Sequence, residues 1–112
     1  MNDEDKSIFK DFKEAVNMSA KQLEDWLDTK DSKEVGFKES DGDESVGHKS
    51  GRRIIELLGK RQNEYTADDI KHAQKVVGYV HRHLAQKPDG DVTDTHWRYS
   101  LMNWGHDPNN TR

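Results

Sequence analysis

Residues 65–86 read YTADDIKHAQKVVGYVHRHLAQ. Ile70, Ala73, Val77, Val80 and Leu84 recur at spacings of three and four, with Val76 beside them. That pattern is one apolar stripe along a helix of about six turns. Thr66 and Asp69 make a T-x-x-D start, a variant of the capping box, and Pro88 and Gly90 stop the helix. Most of the other apolar residues are expected to pack against this rod, and the chain is expected to be all-α.

Upstream, KSIFKDFKEAVN (residues 6–17) places Ile8, Phe12 and Val16 on one helical face, with Phe9 beside them and charges opposite. Ser19 and Gln22 form an S-x-x-Q capping box that opens a second helix, whose buried set is Leu23, Trp26 and Leu27. Residues 29–47, TKDSKEVGFKESDGDESVG, hold neither a 3.6 period nor a period of 2 and read as a long mobile acidic loop. Residues 48–62 make a third helix, with Ser50 as its cap and Ile54, Ile55, Leu57 and Leu58 as its apolar face. Downstream of the central helix, Thr93 or Asp94 caps a last helix on which Trp97, Leu101 and Trp104 share a face. Gly105 falls at the position after its cap and Pro108 follows, a stop signal. The sum is a single domain over residues 1–112, a small irregular bundle of about five helices.

Composition sets bounds on this. The apolar share is 30%, or about 37% with glycine, against about 45–50% for an ordinary globular chain, so the core is small. Net charge is only −4, too low for a wholly disordered chain. There is no cysteine, so no disulfide and no thiolate metal site is possible. No apolar run approaches the ~18 residues that a membrane span needs. The start, MNDEDK, has no apolar stretch like that of a secretory signal, and a cytoplasmic protein is expected. Charge is segregated: residues 1–46 sum to −7, residues 47–87 to +5 and residues 88–112 to −2. The middle third therefore has the balance of an anion-binding face, although the pI near 5.8 argues against a chain that is basic throughout.

The segments ESVGHKSGRRIIELL, KVVGYVHRHLAQKPDGD and DTHWRYSLMNWGHDP, with VNMSAKQLEDWL upstream, resemble a family of short bacterial and fungal proteins classed as a domain of unknown function, serial three-one-four-zero. The resemblance covers nearly the whole chain apart from the acidic loop, and WRYSLMNWGHDP is its most specific part. Members of that family are often labelled DNA-binding, so the resemblance implies nucleic acid as a partner. It brings no catalytic residues.

The residues themselves allow the same reading, beside a plainer one in which the basic segments are solvated faces and the arginines near residue 52 pair with the acidic loop. Gly47-His48-Lys49-Ser50-Gly51-Arg52-Arg53 reads as a flexible basic lead-in to a helix, where free N–H groups and the positive end of the dipole favour a phosphate. It is not a P-loop, because the spacing differs and no strand precedes it. Lys71, Lys75, Gly78 and Arg82 form a stripe opposite the apolar face. Gly78 in mid-helix costs about 1 kcal/mol against alanine, which tight packing against a neighbouring helix or an approaching phosphate would justify. Helix three and the central helix, joined by about four residues, can also be read as a helix-turn-helix. In either form His48, Lys49, Arg52, Arg53, Lys60, Arg61, Lys71, Lys75 and Arg82 would contact phosphate, which positions a partner without specifying sequence. The acidic loop could cover this face as an internal mimic of a polyanion.

The second function class is protein interaction through an exposed aromatic surface of Trp97, Tyr99 and Trp104. Six histidines show no H-x-x-x-H or H-E-x-x-H spacing, so neither metal nor cofactor is expected. No nucleophile stands at a recognisable spacing from a base, so the chain is expected to be non-enzymatic.

Overall fold

The computed structural model describes residues 1–36, 38 and 44–110. They form six α-helices and no strand: α1 (Asp3–Ala15), α2 (Ala20–Leu27), α3 (Lys30–Glu34), α4 (Val46–Leu58), α5 (Ala67–Leu84) and α6 (His96–Asn103), with a single 3-10 turn at Gln62–Glu64. The all-α bundle expected from the periodicity is what forms. Among the described residues no helix is long and apolar enough to cross a membrane.

Each strong start signal caps its helix. Thr66 accepts from the Asp69 amide while the Asp69 carboxylate accepts from the Thr66 amide, so the box closes in both directions. Ser19 and Gln22 do the same at α2. At the end of α6, Gly105 takes φ +82, its amide reaches the Met102 carbonyl, and the His106 amide reaches the Leu101 carbonyl. That pair of bonds is the Schellman arrangement, and its left-handed residue favours glycine.

The apolar stripe of α5 is buried at Ile70, Ala73, Val76 and Val80, with Val77 and Leu84 only partly covered. Its main partner is α1, whose Phe12 is fully buried. The expectation that most apolar residues pack on α5 holds for one half of the core only. The second half of the core gathers on α4, where Ile54 and Leu57 are fully buried and α2 is the principal neighbour. The α6 helix joins the two halves, with Leu101 and Trp104 inside.

Three other expectations change. The segment 29–47 is not loop throughout, because Thr29 accepts from the Ser32 amide and starts α3. Ser32 and Val35 are buried there, while residues 37 and 39–43 lie outside the described ones. The cap of α4 is Ser45, whose hydroxyl accepts from the His48 amide, so residues 46–53 are helix and not a flexible lead-in. Gly47, Ser50 and Gly51 then fall on one buried face. A Cβ on Gly51 would stand 2.7 Å from both the Asn103 carbonyl and Leu27, so this glycine is what lets α4 approach α2 and α6. Finally, Thr95 caps α6 in place of Thr93 or Asp94.

Asn103, fully buried, ties the second half together. Its Oδ1 accepts from Trp26 Nε1 at 2.7 Å and from Ser32, and its Nδ2 donates to the Ser32 carbonyl at 3.0 Å. One side chain thus satisfies α2, α3 and itself in a dry site, where an unmade bond would cost about 1–3 kcal/mol.

Candidate functional site

The nine cationic or imidazole residues expected to meet phosphate divide into three groups. The first centres on Glu44. The His48 ring lies between that carboxylate and the Leu27 carbonyl, to which its Nε2–H donates at 2.8 Å. Arg52 grips the same carboxylate with two bonds, through Nε at 2.8 Å and through Nη2. The hydrogen bond from Arg52 holds the Glu44 carboxyl down to about 2 against its partial burial, with help from His48.

The second group centres on Asp69, 2% exposed at the start of α5. Arg53 Nη2 stands 2.6 Å from one of its oxygens and Lys60 Nζ 2.7 Å from the other. Burial pushes this carboxyl up, but the bonds from Lys60, the Thr66 amide and Arg53 outweigh it and bring Asp69 down to about 2. The effect spreads to Tyr65, pushed up to about 12 by burial and by the Asp69 charge, while its hydroxyl donates to the Leu57 carbonyl at 2.6 Å.

The third group is exposed. Lys49, Arg61, Lys71, Lys75 and Arg82 all reach solvent, and none pairs with a described carboxylate. The structure therefore withdraws His48, Arg52 and Lys60 into internal pairs, as it does most of Arg53. It leaves the α5 stripe of Lys71, Lys75 and Arg82, with Lys49 and Arg61 apart from it.

Lys71 and Lys75 share a shallow depression with Arg53, Asp68 and His72. Three cations against one carboxylate make it positive. His72 registers the field: burial first, then the Arg53 and Lys75 charges, hold its pKa below the usual imidazole value. His72 Nε2 is 3.0 Å from Ser50 Oγ, a serine–histidine pairing that no local spacing announces. Ser50 is 3% exposed, and no described carboxylate hydrogen-bonds the imidazole, so the contact serves as a tie between α4 and α5.

The proposed aromatic surface is corrected in one respect: Trp104 is 4% exposed and belongs to the core. It lies within a run of near-parallel rings. His72 and Trp104 are 6.4 Å apart, Trp104 and Tyr79 4.3 Å, Tyr79 and His83 5.1 Å, and His83 and Trp97 5.4 Å, with interplanar angles of 9–15°. His83 and Trp97 also exchange bonds, each ring N–H donating to the other's carbonyl at 2.8 Å. Tyr99 is half-buried against Trp26.

Gly78 does not admit a neighbouring helix. A Cβ there would meet only the Arg82 guanidinium, 3.1 Å away, so the glycine makes room for that head group to lie back along α5. The other histidines act structurally where they are bonded, as when His106 Nδ1–H donates to the Ala15 carbonyl at 2.7 Å. Among the described residues no three His, Asp or Glu side chains converge on a metal site.

A family model described as a protein of unknown function (DUF3140) matches residues 11–102. It takes in the depression and the whole cationic stripe, and ends before the last part of the WRYSLMNWGHDP segment. No curated protein and no solved structure matches the chain.

Proposed function

Since the chain belongs to the DUF3140 family, whose description assigns no activity, function must come from geometry, and we propose a non-enzymatic, cytoplasmic binding module that holds the phosphate backbone of DNA against α5. One observation carries this: Lys71, Lys75 and Arg82 stand exposed at i, i+4 and i+11 of one helix, while the neighbouring cations are consumed by Glu44 and Asp69. A row of lysines and arginines on a rigid helix matches a linear array of phosphates and carries no base-reading geometry. Lys71 and Lys75 share their depression with Arg53, which adds a third cation at the same place. The protein-interaction alternative loses its central anchor with the burial of Trp104.

The test is anisotropy of a labelled duplex of about 20 base pairs titrated with the chain at low and physiological salt. Binding is expected to fall with salt, and Lys71→Ala/Lys75→Ala/Arg82→Ala to flatten the log–log salt dependence by about 1 per cation removed. Lys21→Ala, which removes an exposed cation on α2, is expected to change nothing. Binding that survives the triple substitution, or none at low salt, overturns the proposal. Arg53→Ala is unsuitable as a probe, because it strips Asp69 of a partner.

A further inference from the structure

A pocket of about 300 Å³ opens between the start of α4, the C-terminal half of α5 and the end of α6. Its lining includes Trp104 and Tyr79, Lys75 and Arg82 from α5, Gly47 from α4 and Ser100 from α6. The size and the mostly apolar lining with a few polar groups suit a small organic ligand.

Two independent features say which kind. The three indoles of the chain are treated differently. Trp26 Nε1 donates to Asn103 at 2.7 Å and Trp97 Nε1 to the His83 carbonyl at 2.8 Å. Trp104 is 96% buried, yet its Nε1 hydrogen-bonds no described residue. It sits beside Gly47, where a Cβ would come within 3.0 Å of that nitrogen. Glycine at 47 therefore leaves this donor open at the pocket wall, where an acceptor on a ligand can reach it. Charge is the second feature. Lys75 Nζ lies 5.9 Å from the Trp104 ring centroid and Arg82 flanks the same opening, with no Asp or Glu among the described lining residues.

We infer that this pocket binds a small planar aromatic carboxylate, its ring against Trp104 and Tyr79, its carboxylate held by Lys75 and Arg82, and an acceptor atom on Trp104 Nε1–H. Lys75 and Arg82 are shared with the proposed duplex face, but the aromatic wall and the uncovered indole take no part there, and Lys71 takes no part here.

The probe is 2-naphthoate, titrated calorimetrically into the full chain and followed by the three indole N–H resonances of 15N-labelled protein. One saturable site is expected. The Trp104 indole resonance should move while those of Trp26 and Trp97, already bonded, hold still. Neutral 2-naphthalenemethanol should bind at least about tenfold more weakly, as should 2-naphthoate to Lys75→Ala/Arg82→Ala, because each loses a charge-assisted contact. Ser100→Leu, which fills the rim from α6, should abolish the Trp104 shift. Both variants change partly or fully exposed positions, and an unaltered melting curve confirms the fold. Equal affinity for the alcohol, a motionless Trp104 resonance at saturation, or tighter binding of adenosine monophosphate than of naphthoate would each overturn the assignment. Because Lys71→Ala leaves the naphthoate site intact and Ser100→Leu leaves the duplex face intact, the two proposals fail separately.

Discussion

The two ends of α5 use the same residue types for opposite purposes. At its start, Asp69 is buried and draws in Arg53 and Lys60, so cations there become part of the fold. Toward its C-terminal half, Lys75 and Arg82 stand over an aromatic wall with no described carboxylate to claim them. The difference lies in the acid, not in the bases. One buried carboxylate turns a cationic patch into a structural bolt, and without one the same residue types stay exposed to solvent.

The largest effect that tests this contrast is Asp69→Ala. It removes both ion pairs and the capping box of a buried carboxylate, and should cost about 3 kcal/mol in urea unfolding. Lys75→Ala at the other end should stay within about 0.5 kcal/mol; a comparable loss there would erase the distinction. Next is Gly51→Ala, whose Cβ has no room between Leu27 and the Asn103 carbonyl and should cost about 2 kcal/mol of thermal or chemical stability through overpacking.

Acid should separate the ends as well. Asp69 titrates near 2 in the folded chain against about 3.8 unfolded, so its contribution is present above the unfolded value and is lost as pH falls from about 4 toward 2. That amounts to about 2 kcal/mol, measured in the pH slope of the unfolding midpoint, and Asp69→Asn should remove this share of the slope while the share from Glu44 remains. Smallest is Gly78→Ala, expected to stabilise the helix by about 1 kcal/mol, since the new methyl meets only the movable end of Arg82. A destabilised Gly78→Ala would mean that the pose of Arg82 matters to the fold.

What could be read beforehand follows the range of the interaction. The start of α5, the capping box of α2 and the Gly105 stop depend on residues within five of one another, and each formed as its local pattern implied. The family was legible from a few segments for the same reason. Gly47, Gly51 and Gly78 are where local composition misleads. Gly47 and Gly51 sit among lysine, arginine and serine, a composition that reads as loop, and their purpose is set by Asn103 and Trp104 more than fifty residues away. Gly78, credited with helix packing, makes room for a side chain on its own helix. Asn103 carried no signal at all, because its partners lie 71 and 77 residues distant. The cationic stripe was visible by spacing, but which cations are spent internally depended on where Glu44 and Asp69 fold.

The run of rings from His72 to Trp97 also determines how the chain handles light. Tyr79 lies nearly parallel to Trp104, 4.3 Å away. At that separation an excited phenol hands its energy to the indole before it can emit. In the folded chain Tyr79 should therefore be dark, and its transitions should couple with those of Trp104 into a near-ultraviolet dichroism signal. Unfolding parts the two rings, so tyrosine emission appears as that dichroism vanishes. The junction between α5 and α6 thus carries its own optical gauge, with no label attached.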